Sequence, residues 1–396
     1  MKVVFTSFGS TGDVQPFLAL AAEFRRHGHH AVVAFSPNFR SRAEALKLDF
    51  VPIGPELDTA LIRGVGAELV RLEDPAQQVR HFLEAVTPHV PRMYRELAAL
   101  CSTADALVSA PFQIVAPMVH EKFGIPYISI HMSQFGALGT KAIKGISARM
   151  INKSRASQGL GPVEDPLGAD GTSRDLALYA VSSRILRRPL NWPAHHHVVG
   201  FFYLEEENWT PPADLRAFVE RPQKPIVISF GSMVHADPAA VTNLVVEALK
   251  NVDQPAIVQR GWSGLGNVTL PEHVLAADFV PHSWLFPRAA CVVHHGGAGT
   301  TAAAFKAGVP SIVVPHTLDQ PIWGQLARAF GCAAAVIPFA QLTAGALSEA
   351  LREVVENPRY ARGASLLGGQ INAENGVEVA RRLIEQLVAE RTQRSA

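Results

Sequence analysis

Short, continuously apolar runs recur along this chain, separated by stretches with helical spacing. "VVFT", "HAVVAF", "DALVSA" and "PYISIH" lie in the first half, and "PIVIS", "AIVQ", "CVVHH" and "SIVVP" in the second. Runs of this length without polar alternation predict strands buried on both faces of a parallel sheet. Between them, Val14, Phe17, Leu18, Ala21 and Phe24 share one helical face, with Pro16 tolerated in the first turn. Val241, Leu244, Val245 and Leu249 do the same in the second half. Alternation of the two patterns predicts two doubly wound α/β domains.

The two halves also open alike. "VVFTSFGS" (3–10) is echoed by "PIVISFGS" (225–232), an apolar strand running into the same Ser-Phe-Gly-Ser turn. An acidic, proline-rich stretch separates them. The predicted organisation is a first domain over 1–204, a linker over 205–224, a second domain over 225–375 and an amphipathic C-terminal helix over 376–396. A Gly/Ser/Pro/Asp-rich segment near 154–175 reads as mobile surface. Ligands of open α/β sheets sit beyond the C-terminal strand ends, so two facing sheets predict one cleft lined by both turns.

Composition narrows the class. The 396 residues suit two domains of about 200 each. With 48% hydrophobic and 18% charged residues the chain reads as a soluble globular protein, and its net charge of +1 gives no electrostatic case for nucleic acid. Three scattered cysteines (Cys101, Cys291, Cys332) predict no disulfide framework and a reducing compartment. The first apolar run is too short for a secretory signal, and no run approaches a membrane span. A cytoplasmic location is the expectation. Oligomeric state is not legible.

Candidate chemistry begins at "FTSFGSTGDVQP" (5–16), where Asp13 stands at the mouth of a glycine-framed turn. No Lys-Ser/Thr pair follows, so this is not a P-loop. Only Gly9 and Gly12 are present and the second strand closes on Ser36, so a dinucleotide fingerprint is excluded too. The denser signal is "DFVPHSWLFPRAACVVHHGGAGTTAAAFKAGVPSIVVPHTLDQPIWG" (278–324). There a strand runs through Gly296, Gly297 and Gly299 into an Ala-rich helix, whose first N–H groups suit an anion. Thr300 and Thr301 add hydroxyls, and His295 adds a hydrogen bond or a positive charge toward a phosphate. Asp319 and Gln320, beyond the next strand, suit vicinal sugar hydroxyls. Phosphate beside sugar-binding groups points to a nucleotide sugar.

These stretches, with "GSTGDVQP" and "DQPIWG", resemble the family 1 glycosyltransferases, nucleotide-sugar enzymes with two Rossmann-like domains (the GT-B fold). Within them the chain is most similar to the sterol 3-beta-glucosyltransferase branch, with bacterial natural-product transferases and rhamnosyltransferases as close variants. The resemblance spans both halves and implies these roles. Asp13 is the general base, where many relatives carry a His. His295, Gly297, Thr300 and Ser232 bind the donor's phosphates. Asp319, Gln320 and Trp323 bind its sugar, and Phe279, Val280 and His282 form the base pocket, with Phe279 where many relatives have Trp. A Glu of plant-type relatives that binds the ribose hydroxyls falls at Ala303. The implied reaction is inverting and metal-independent, with no resident cofactor. UDP-glucose is the favoured co-substrate, a dTDP-deoxysugar or rhamnosyl donor the alternative. The acceptor is a hydroxyl of a hydrophobic small molecule such as a sterol, triterpenoid, polyketide or phenolic. It is shaped by loops near 54–92 and 132–175, which carry Leu57, Leu61, Val65, Phe82, Met93, Phe135, Leu138 and Met150.

Plainer readings stand beside these. Asp13 also suits the N-cap of the first helix. Trp323 suits the core as well as a sugar-site wall, and His131, an acceptor candidate, suits a structural role. Of His294 and His295, strand alternation expects His294 to be the packed one. "HHH" (195–197) lacks metal-type companions and reads as an exposed loop or strand end. Lys141, Lys144, Arg149, Lys153 and Arg155 form either a solvated helix face or a docking face for peripheral membrane contact. Rival functions are a nucleotide-sugar epimerase of the same fold and a non-catalytic nucleotide-sugar binding protein.

Overall fold

A computed structural model describes the chain except residues 58, 134–139, 206–208, 253, 263 and 396, and except the side chains of 59–63 and 395. Phe135, Leu138, the Leu61 side chain and part of the expected linker therefore lie outside the described residues. The rest divides into two compact units: Met1–Val65 with Leu72–Leu204 and Glu374–Ala396, and Gly66–Arg71 with Glu205–Ala373.

The first unit is built on a parallel sheet ordered β3-β2-β1-β4-β5-β6-β7. Its strands are β1 (Lys2–Thr6), β2 (His30–Phe35), β3 (Asp49–Pro52), β4 (Ala106–Ser109), β5 (Tyr127–His131), β6 (Leu176–Tyr179) and β7 (His196–Val198). Val3 to Phe5 are fully buried, as an unbroken apolar run in a two-faced sheet requires. The order reverses between β1 and β4, which places the Ser-Phe-Gly-Ser turn after β1 at the switch point.

The first helix, Thr11–Arg26, and the last, Gly376–Ser395, cover one face of this sheet. Leu18, Ala21 and Phe24 share a core with Ala380 and Ile384. Burial of a side chain such as Phe24 contributes about 1.5–3 kcal/mol. Polar contacts fix the register: His29 meets Glu385 at 2.7 Å, Arg381 reaches Glu23 at 3.6 Å, and Arg391 pairs with Asp175.

Two expectations change here. The 154–175 stretch is not loose. Asn152 holds both polar groups of Val163 at 2.9 and 3.0 Å, Arg155 donates to the Gly161 carbonyl at 2.7 Å, and the Tyr127 hydroxyl donates to Gly171 at 3.1 Å. The cationic segment loses two members to internal pairs. Arg155 is buried against Glu121 and Lys144 pairs with Asp165 at 2.7 Å, leaving Lys141, Arg149 and Lys153 exposed.

The second unit repeats the plan with order β10-β9-β8-β11-β12-β13. These are β8 (Ile226–Ser229), β9 (Ala256–Gln259), β10 (Val274–Ala277), β11 (Cys291–His294), β12 (Ser311–Val313) and β13 (Ala333–Val336). β8 and β11 are in register, Ser229 opposite His294, so the second Ser-Phe-Gly-Ser turn and the His-Gly-Gly turn leave neighbouring strand ends at the switch point. All three cysteines are buried and unpaired, and burial pushes their thiols up to about 12. Among the described residues, no helix is long and apolar enough to cross a membrane.

Candidate active site

Asp13 is the third residue of the first helix rather than its N-cap, which is Ser10. Its carboxylate reaches back along the turn. Oδ2 accepts from the Ser10 amide at 2.7 Å and from the Ser10 hydroxyl at 2.9 Å. Gly9 makes room for this contact. It sits at φ +136°, and a Cβ there would lie 2.4 Å from Oδ2, so both the backbone and the space demand glycine. Burial raises the Asp13 pKa, with the Ser10 bonds opposing it. The result is a half-buried carboxylate at a switch point, with both hydrogen bonds on one oxygen.

His131 ends β5. Its Nε2 meets the Ser129 hydroxyl at 3.1 Å, and its ring stacks on Tyr179 at 4.7 Å, which in turn stacks on Trp192 at 4.2 Å. Burial, helped by His196, pulls its pKa down to about 3, so the ring is neutral. Of the two readings of "HHH" the strand end holds: His196 and His197 lie half-buried on the edge strand β7, and His196 Nδ1 meets the Tyr179 hydroxyl at 3.2 Å. Among the described residues no group of three or more His, Cys, Asp or Glu side chains is placed to hold a metal ion. In the acceptor-type loops, Phe82 packs edge-on between Phe8 and Phe112, and Met93 is buried beneath Gly54.

In the second unit the helix Ala298–Ala307 starts at Gly297 without a side-chain cap. The Thr301 amide bonds the Gly297 carbonyl at 2.9 Å, so Ala298, Gly299 and Thr300 carry the amides that precede the helical ladder. Such an end attracts an anion. Thr300 is nearly buried, and Thr301 is wholly so with its hydroxyl unpartnered.

His295 stands beside this helix end between two glycines. A Cβ on Gly297 would lie 2.3 Å from its Nε2, and one on Gly231 would lie 3.0 Å from its Cε1. Ser232 follows directly, half-buried in the same turn. His295 is itself buried, and among the described residues no group meets its Nδ1 with hydrogen-bond geometry, though the Ser229 backbone lies near enough to oppose the loss of its proton. Burial lowers its pKa to about 4. Of the two contributions expected of His295, the lowered pKa favours the hydrogen bond from a neutral ring over the positive charge. His294 is packed as strand alternation demands: it is fully buried, and its Nδ1 accepts from the Gly296 amide at 3.1 Å. His295 is nearly as buried, so alternation marked the structural member but did not expose the other.

The Asp-Gln pair is locked from within. Gln320 Oε1 accepts from the amides of His316 at 2.8 Å and Thr317 at 3.1 Å, so this oxygen shapes the loop and is not free for a sugar. Its Nε2 is left as the donor, 3.4 Å from Met233 sulfur. Asp319 Oδ2 accepts from the indole N–H of Trp323 at 3.1 Å. Trp323 is fully buried and offers no wall to a ligand; it acts on the site through Asp319. Leu318, between these groups, holds a left-handed φ of +51°.

Of the expected base-pocket residues, Phe279 is 52% exposed. Val280 is buried and its carbonyl accepts from Gln259 at 3.0 Å, so that oxygen is already used. His282 stacks on Phe286 at 4.3 Å, and burial pushes its pKa down to about 4. A cavity of about 760 Å³ lined by Arg221, Lys250 and His273 opens at the opposite, N-terminal ends of β8, β9 and β10, away from this chemistry. Two residues escaped the sequence reading. His235 and His316 are buried and face each other at 3.0 Å. Their only sequence signal is a histidine in each of the loops that follow β8 and β12.

Two parallel-sheet units, each with a glycine-framed turn at its switch point, repeat one doubly wound α/β plan. Residues 3–137 match the glycosyltransferase family 28 N-terminal domain, and residues 243–386 match the erythromycin biosynthesis protein CIII-like C-terminal domain. The chain is 30% identical to an O-mycaminosyltylonolide 6-deoxyallosyltransferase of Streptomyces fradiae, over 99% of both proteins. It is 31% identical to a sterol 3-beta-glucosyltransferase of Arabidopsis thaliana, with 95% of this chain and 64% of that protein covered. A sterol 3-beta-glucosyltransferase of Aspergillus oryzae is 30% identical over 96% of this chain, which spans 30% of that protein's length. Crystal structures of similar fold include the kitacinnamycin glycosyltransferase (TM-score 0.76, 20% identity, 98% and 99% covered) and VinC in complex with dTDP (TM-score 0.74, 22% identity, 99% and 100% covered). The chain belongs to the family 1 glycosyltransferases of the GT-B fold.

Proposed function

We propose that the protein transfers a sugar from a nucleoside diphosphate to a hydroxyl of a hydrophobic small molecule, with inversion at the anomeric carbon. The observation that carries this reading is the second unit's switch point, where uncapped amides of the helix Ala298–Ala307 and the buried His295 share one strand end. Both serve a leaving diphosphate: the amides by fixed dipoles, His295 by a hydrogen bond from its neutral ring. Asp319 and the Gln320 amide N–H bind the sugar, Phe279 supports the nucleobase, and Ser232 adds a hydroxyl toward the phosphates. Asp13 takes the acceptor's proton as its oxygen attacks. Burial, which raises its pKa, makes it a stronger base than an exposed aspartate. In this scheme leaving-group charge is met by protein groups, so turnover is independent of divalent cations.

UDP-glucose is the favoured donor, and a sterol-like or polyketide-like alcohol the favoured acceptor class. The relatives named as sterol glucosyltransferases support the first pairing. The Streptomyces deoxyallosyltransferase and the dTDP complex of VinC support a dTDP-deoxysugar as the second reading. Calorimetric titration of UDP and dTDP into the wild-type chain and into His295→Ala tests the donor site. The variant is expected to bind at least about tenfold more weakly, the loss of one charge-assisted hydrogen bond. Equal affinity would mean that the phosphate site lies elsewhere.

A further inference from the structure

Two buried histidines from different loops meet in the second unit. His235 belongs to the loop after β8 and His316 to the loop after β12, and their Nε2 atoms are 3.0 Å apart. The proton between them can be assigned. His316 Nδ1 lies 2.7 Å from the Val314 carbonyl, which only accepts, so Nδ1 carries a hydrogen and Nε2 is a bare lone pair. His235 Nε2 is therefore the donor. The rings are held among aromatics: His316 stacks on Phe339 at 4.3 Å with Phe230 at 5.2 Å, and His235 lies 5.0 Å from Phe339.

The bond survives at ordinary pH because both rings stay neutral. Burial holds His235 at about 4 and His316 well below the ordinary range. His295, itself lowered to about 4, is a further titratable group that acts on His316, and His235 acts in turn on His295.

What His316 anchors is the substrate-type loop. Its amide and that of Thr317 close on Gln320 Oε1, Leu318 takes its left-handed turn, and Asp319 begins the next helix. We infer that His235 is a positioning residue for sugar recognition: by donating to His316 it fixes the turn that presents Asp319 and the Gln320 amide N–H. This rests on the donor-site reading given above. His235 touches no substrate itself. Its effect falls first on the sugar half of the donor, since its hydrogen bond ends on the loop that carries Asp319 and Gln320, while His295 follows β11, the strand between β8 and β12.

The test compares His235→Phe, which keeps an aromatic ring and removes the hydrogen bond, with His235→Gln, whose amide restores a donor. Affinities for UDP, dTDP, UDP-glucose and dTDP-glucose are measured on each full chain. His235→Phe is expected to lose about tenfold in affinity for the nucleotide sugar that the wild type prefers, the scale of one hydrogen bond, with a distinctly smaller loss for the parent diphosphate. His235→Gln is expected to recover most of that loss. Nucleotide-sugar affinity in His235→Phe equal to wild type overturns the inference. So does an equal loss of diphosphate and nucleotide sugar in both variants, which marks a merely structural role. A wild-type chain that binds none of the four compounds overturns the donor-site reading instead. Ring-nitrogen NMR supplies an arm free of nucleotide: the expected pattern is protonated Nδ1 on His316 and protonated Nε2 on His235, and the reverse tautomers would contradict the tie.

Discussion

The Asp13 carboxylate takes hydrogen bonds from the amide and the hydroxyl of Ser10, and both fall on Oδ2. Capping and catalysis are therefore compatible at this residue: one oxygen closes the first turn of the helix while the other is left for a proton. Gly9 is what permits it, since any side chain there would strike the carboxylate.

Asp13→Asn separates the two roles. The amide oxygen can still accept from Ser10, so the helix start is kept, while the base is lost. Turnover is expected to fall at least about a hundredfold with donor affinity unchanged. Stability at neutral pH should not fall. The folded-state pKa is raised, so the ionised Asp13 costs stability at pH values above it, and the variant removes that cost. Steady-state kinetics and thermal melts check both halves; near-normal turnover would leave Asp13 as a cap.

The crowding of His295 by its neighbours gives a second prediction. Gly297 has an ordinary φ, so alanine there brings no backbone strain, only a Cβ 2.3 Å from His295 Nε2. Gly297→Ala should displace the imidazole and weaken nucleoside diphosphate binding by at least about tenfold. Gly345→Ala, where a Cβ meets nothing within 4 Å, is the control and should bind normally.

Buried neutral histidines also set the acid limit. His235, His294 and His295 have folded-state pKa values lowered to about 4, 3 and 4 by burial. The unfolded chain takes up these protons below about pH 6.5 and the folded chain does not. Their contribution is thus fully present above pH 6.5 and lost as pH falls toward 4, at up to about 1.4 kcal/mol per pH unit for each ring. Denaturant melts between pH 7.5 and 5, above the carboxylate range, should show this slope. A flat profile would mean that these rings titrate in the folded chain as they do in the unfolded one.

Much of this was legible in the residues, for definite reasons. The central strands β1, β2, β4, β8, β9, β11 and β12 are buried on both faces, so their apolar runs had no competing pattern. The strands β3, β7, β10 and β13 are the sheet edges and went unread, as did the fully buried β6. "DFVP" mixes an acid and a proline, and "AAAV" carries little apolar bulk. In the site, glycines and the helix start were readable because their chemistry is local in sequence. The His235–His316 contact and the inward turn of Gln320 were not, because each depends on loops that only the sheet order brings together. The burial of Trp323 was undecidable from "DQPIWG", where an indole serves core and ligand equally well.

The ribose position yields a further expectation. Ala303 stands where plant-type relatives carry a ribose-binding Glu, and it is packed partly into the apolar cluster around Phe286 and Val292. A methyl group makes no bidentate contact with the ribose hydroxyls. Discrimination between UDP and dTDP at this position should amount to no more than about 1–2 kcal/mol. Competition binding measures it, and a preference for UDP above about a hundredfold would mean that another residue reads the 2′-hydroxyl or the base.

Sugar transfer to a lipophilic hydroxyl is tested most directly by product analysis. The full chain is incubated with UDP-glucose or dTDP-glucose and a panel of sterol, polyketide and phenolic alcohols, in the presence of EDTA. Mass spectrometry and NMR then identify the products. The expected result is free nucleoside diphosphate together with a glycoside whose anomeric configuration is opposite to the donor's. Conversion of the donor to an isomeric sugar without an acceptor, or donor binding with no product from any alcohol, would contradict the account.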